Sequence, residues 1–175
     1  MSAGRNFLED SIRSFRRYKR LAERAMAQLD GRQMHWQSDP EANSVVIVMK
    51  HMAGNMRSRW SEYLESDGEK PDRNRDGEFI DDFESREQLM EVWESGWRVL
   101  FETLEALDES DLEKTAPIRG EEHTVVEAIL RQLGHYAYHV GQIVQLARQQ
   151  VGPERWQSLS IARGQSDEYR PLTSE

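Results

Sequence analysis

His135 and His139 lie four residues apart in the stretch Gly134-His135-Tyr136-Ala137-Tyr138-His139, with helical patterning on both sides. Residues four apart share one face of a helix, one turn from each other. That spacing delivers two imidazole nitrogens to a single metal ion. Two ligands make a poor site, so a third must come from another part of the chain. His51 is the best candidate, in a segment that also reads as helical. A three-histidine site keeps coordination positions open, which suits a catalyst better than a structural plug. Against this stands the plainer expectation that a His-x-x-x-His pair, or a lone histidine, is a satisfied side chain at the core's edge. His35 sits in a connection beside Trp36, and His123 precedes a helix N-terminus, where the dipole disfavours imidazolium. Both have weaker claims.

Other chemistries lack their residues. No Glu-x-x-His occurs, which argues against a di-iron carboxylate bundle. Tyr136 follows His135, so the zincin helix with its adjacent glutamate is not present. No glycine-rich phosphate loop and no Gly-x-Ser-x-Gly elbow appear. Cysteine is absent, so thiol chemistry needs a thiol from outside.

The elements that must position these histidines are helices. The first spans about residues 6–29, with Phe7, Leu8, Ile12, Phe15, Leu21 and Ala25 at helical spacing. A second starts near Asn43 or Ser44 and ends before Gly68. Its apolar line is Val45, Met49, Met52, Met56, Trp60 and Tyr63, with the methionines expected as core filler. A third opens on the capping pattern Ser85-Arg86-Glu87-Gln88 and carries Trp93 and Trp97, expected in the core. A fourth opens on Thr124-Val125-Val126-Glu127 and runs to about Gln149, before Gly152-Pro153. A short helix is expected at Asp108 to Lys114, and no stretch reads as a strand.

These elements predict an all-α chain, a four-helix bundle. The polar connection from Ser66 to Glu84 is long enough to be a crossover between parallel neighbours, which points to up-down-down-up order. Helix length agrees. His51 lies about 14 residues from the end of its helix, and His135 and His139 about 11 to 15 from the start of theirs, all roughly 20 Å deep.

With 175 residues, one domain is expected: a core over about 6–150 and a tail over 151–175. Net charge is −9, which argues against a nucleic-acid partner. The start shows no apolar leader, and the longest apolar run, Val45 to Met49, is too short to span a bilayer. A soluble, cytoplasmic protein is expected.

His51 in Met49-Lys50-His51-Met52, and the ending His139-Val140-Gly141-Gln142-Ile143 after His135, resemble the DinB/YfiT-like superfamily of metal-dependent enzymes. The resemblance covers roughly residues 6–150. Pro71 to Phe79 and Ser158 to Ser166 look like a subgroup of that superfamily without an assigned function. The resemblance implies a four-helix bundle, a homodimer, and one divalent metal ion (Zn, Ni or Fe) on His51, His135 and His139. It also implies a transferase or isomerase acting on a small-molecule substrate with a low-molecular-weight thiol, or else a metal-dependent hydrolase, or a dimer that binds metal or ligand without catalysis. Asn55 and Gln142, each near a ligand on its helix face, are candidates to orient imidazoles or substrate. Arg73, Arg75 and Arg163 would meet an anionic substrate if the crossover and tail fold over the pocket. Solvated loop charges are the plainer expectation for each.

Overall fold

Helix caps read from the sequence recur in the computed structural model, which describes residues 2–168. Helix α1 (Ala3–Met26) begins at Ser2, whose side chain accepts a hydrogen bond from the Arg5 amide, slightly earlier than expected. A single turn, α2 (Gly31–Met34), follows on a reciprocal Asp30–Gln33 box. Ser44 caps α3 (Val45–Trp60), and Ser85 caps α4 (Arg86–Ala106). Thr124 and Glu127 exchange hydrogen bonds at the start of α5 (Val125–Val151). That helix stops at Gly152, where φ is 79° and a side chain would be strained.

Helix α3 is the centre of the packing. Every one of its residues except Lys50 and Arg57 is buried, as expected for a helix enclosed on all sides. It packs against α4 and α5, while α1 packs against α5 and α4. On α4, Gly96 lets the two backbones meet, because a Cβ there would lie 2.9 Å from the Ala53 Cα. Met49, Met52, Met56, Trp60, Trp93 and Trp97 are all in the core. The methionines and tryptophans are therefore packing residues, as expected. With α3 buried all round, its polar side chains His51, Asn55, Ser58 and Arg59 must find partners inside the protein.

Two expectations need correction. Helix α3 stops at Trp60 and does not reach Gly68: Ser61 turns extended and Glu62 takes a positive φ of 48°. The helix-length argument for the level of His51 therefore falls away. Second, the chain is mostly helical but not purely so. Strands β1 (Thr115–Ile118) and β2 (Glu121–Thr124) form an antiparallel hairpin. Arg119 (φ 56°) and Gly120 (φ 76°) make its two-residue turn, and positive φ at both positions matches the twist of paired strands. The strands are four residues each, one contains Pro117, and Glu121-Glu122-His123-Thr124 has no apolar alternation, so no strand pattern shows. The short helix expected at Asp108 to Lys114 is present, as a 3-10 helix over Glu109–Glu113.

The connection between α3 and α4 is tied down along its length. Ser58 donates to the Gly68 carbonyl at 2.7 Å, and the Gly68 amide donates to the Pro117 carbonyl at 2.8 Å. Asp67 accepts from the backbone amides of Arg119 and Gly120 at the hairpin turn. A 3-10 helix over Asp76–Phe79 then packs on α3. The tail runs elsewhere: Arg24 of α1 and Gln28, just past the end of that helix, donate to the carbonyls of Leu159 and Gln157. Among the described residues, no helix is long and apolar enough to cross a membrane.

Candidate metal centre

Helices α3 and α5 bring His51, His135 and His139 together, each offering one nitrogen within 4.8 Å of the others. His135 and His139 stand one turn apart on α5, their Nε2 atoms 3.0 Å from each other. His51 reaches across from α3, its Nε2 3.4 Å from that of His135. His51 and His139 are buried, at 6% and 8% exposure, and His135 is partly buried. The other two histidines stand apart. His35 pairs with Asp81 at 2.9 Å, and His123 faces the Glu121 carbonyl on β2.

The far side of each ring explains the near side. His51 Nδ1 lies 2.9 Å from Glu78 Oε2, His139 Nδ1 2.8 Å from Gln142 Oε1, and His135 Nδ1 3.4 Å from Gln132 Oε1. Each partner is an oxygen acceptor, so each Nδ1 carries the proton. The three Nε2 atoms are then lone pairs that converge with no proton between them. That arrangement repels itself unless a cation sits among them, and it is the donor set and outer support that a bound metal requires. Protons are poor occupants. Burial, with the nearby charge of His139 and His51, pushes the His135 pKa down to about 3. Burial lowers that of His139 as well, against the opposing hydrogen bond of Gln142.

Glu78 was not legible as part of this site. It comes from the 3-10 helix of the crossover and is itself buried. Burial would raise its pKa, but hydrogen bonds from His51 and Arg73 outweigh that and hold it below the usual carboxylate value. Arg73 grips both of its oxygens, Nε and Nη2 each at 2.8 Å. Room for the carboxylate comes from Gly54, one turn beyond His51 on α3. A Cβ at Gly54 would lie 2.7 Å from the Glu78 carboxyl carbon. Phe79, the next residue, stacks on the His51 ring with centroids 5.0 Å apart. A glycine three residues after a buried histidine was the available signal, but it does not say which segment fills the space.

Of the candidate helpers, Gln142 does orient an imidazole. Asn55 instead accepts from the Tyr136 hydroxyl at 2.9 Å, which in turn accepts from Trp60 Nε1 at 3.1 Å. That chain of hydrogen bonds ties α3 to α5 beside His135, whose ring centroid lies 5.4 Å from that of Tyr136. Of the arginines, Arg73 is a buried partner of Glu78 and Glu69, and Arg75 lines the cavity. Arg163 is exposed on the tail and does not line it.

A cavity of about 350 Å³ opens beside His51 and His135. Its walls are Asn55, Gln132 and five arginines: Arg59, Arg73, Arg75, Arg119 and Arg131.

The chain belongs to the family described as "Protein of unknown function (DUF1572)", whose model matches residues 2–165. No curated protein and no solved structure matches it.

Proposed function

We propose that this DUF1572 member is a metal-dependent enzyme of the DinB/YfiT-like type, with one divalent cation on His51, His135 and His139. The observation that carries this reading is the convergence of three Nε2 lone pairs whose Nδ1 atoms all face acceptor oxygens. On this reading the four long helices form a four-helix bundle like those of that superfamily, in up-down-down-up order. Borderline imidazole donors suit Zn, Ni or Fe. A cation held there supplies Lewis acidity, lowering the pKa of a thiol or water that reaches its open positions.

The chain's own residues do the positioning. Glu78, Gln132 and Gln142 hold the rings in one tautomer, and the Trp60–Tyr136–Asn55 chain ties together the two helices that carry the histidines. With no cysteine in the chain, a thiol nucleophile comes from a low-molecular-weight thiol, giving a transferase or isomerase. One observation favours a hydrolase as the second reading. The described residues that line the cavity are all polar or charged, so the cavity suits water as an occupant.

Elemental analysis of the purified protein is expected to find about one divalent ion per chain. The His135→Ala/His139→Ala variant is expected to lose the ion and keep its far-UV helical signal, since the apolar core lies elsewhere. Stoichiometric metal in that variant would overturn the site. Turnover of an electrophile only with added thiol supports the transferase, and turnover in water alone the hydrolase. A full metal site with no turnover of either kind identifies a binding protein.

A further inference from the structure

The cavity beside the histidines is strongly positive in a chain of net charge −9. Five guanidinium groups line it, and among the described residues two carboxylates touch them. Glu69 takes Arg59, Arg73 and Arg119, and Glu78 takes Arg73. Three positive charges are left over. Arg75 and Arg131 are exposed and form no ion pair among the described residues; Arg75 only stacks over the Phe79 ring at 5.7 Å. Arg59 is 5% exposed, and its Nε and Nη1 have no hydrogen-bond partner among the described residues. Guanidinium donors without acceptors, crowded around one cavity, repel each other and are costly to bury. Their forked donors match the oxygens of phosphate and carboxylate groups.

We infer that the substrate of this centre carries a multivalent oxyanion, a phosphate group or clustered carboxylates, seated on Arg75 and Arg131, with the buried charge of Arg59 adding to the attraction. The inference rests on the proposed metal centre for the reacting end of the molecule, and on the arginines alone for the bound end. The anion's oxygens meet the exposed guanidinium donors of Arg75 and Arg131 and neutralise the excess charge. The remainder of the molecule then extends toward His51 and His135, which line the same cavity.

Calorimetric titration with pyrophosphate and with citrate tests this, on metal-loaded and on chelator-treated protein. One anion is expected to bind per chain, the tighter of the two naming the chemical group. Loss of two charge-assisted contacts in Arg75→Gln/Arg131→Gln should weaken it about tenfold or more. Arg13→Gln, at an exposed position on α1, should leave it unchanged. Arginine-dependent binding that survives metal removal supports the inference even if the metal centre fails. Binding that needs the metal and ignores Arg75 and Arg131 overturns it, because the anion is then a metal ligand. No binding to protein with a full metal complement also overturns it, and leaves the metal centre standing.

Discussion

The crossover between α3 and α4 and the tail after α5 are both polar and arginine-bearing, yet they end in opposite roles. The crossover sends Glu78 into the protein to hold His51, ties it with Arg73, and adds Arg75 to the cavity wall. The tail lies along α1 through backbone carbonyls, with Arg163 left exposed. The difference lies in what each segment meets. Helix α3 is buried all round and carries a histidine that needs an acceptor and a glycine that leaves space for one. Where the tail docks, Arg24 of α1 and Gln28 just beyond that helix satisfy the tail's own backbone. A loop joins a site when the framework beneath it holds an unmet polar demand.

Removing the crossover's charge should break the contrast most strongly. Glu78→Ala strips His51 of its acceptor and leaves the buried Arg73 with Glu69 alone. Loss of an outer-shell partner should weaken metal binding by about 10- to 100-fold. Breaking a buried ion pair should cost about 3–5 kcal/mol. Competition with a metal chelator and urea unfolding measure the two separately; unchanged metal affinity would show that Glu78 serves stability only.

Gly54→Ala should act on the same contact from below. The added methyl occupies the space of the Glu78 carboxylate, and overpacking of this kind costs about 1–3 kcal/mol, partly offset by the better helix propensity of alanine. Because both changes act through one contact, their effects on metal affinity should not add. Gly54→Ala/Glu78→Ala should bind metal no more weakly than Glu78→Ala. Additive losses would mean that Gly54 acts on the site by another route.

The smallest effect is expected on the tail. Arg163→Ala should change stability by no more than about 0.5 kcal/mol, as for surface positions away from special features. It should leave metal and anion binding untouched. A tenfold loss of anion affinity in this variant would place the tail over the cavity.

Much of the scaffold is legible in the chain because it is local. Ser44, Ser85 and the Thr124–Glu127 pair mark helix starts through bonds that close within three residues. The 119–120 turn escaped because its signal is a single glycine between strands without apolar alternation. The end of α3 escaped because Tyr63 remains buried beyond the helix, its ring 4.9 Å from that of Trp60, and so extends the apolar line past the true stop.

By itself the sequence determined that His135 and His139 share a helix face, that no thiol comes from this chain, and where three of the four long helices begin. These follow from helical periodicity, composition and caps, which act over one turn. Only the tertiary structure decided that Glu78 supports His51 across 27 residues, that His51 meets His135 across 84, and that five arginines surround one cavity. Partners so distant in sequence leave no periodic mark on it. They are selected by burial, because a polar group enclosed on α3 takes whichever acceptor the packing brings to it.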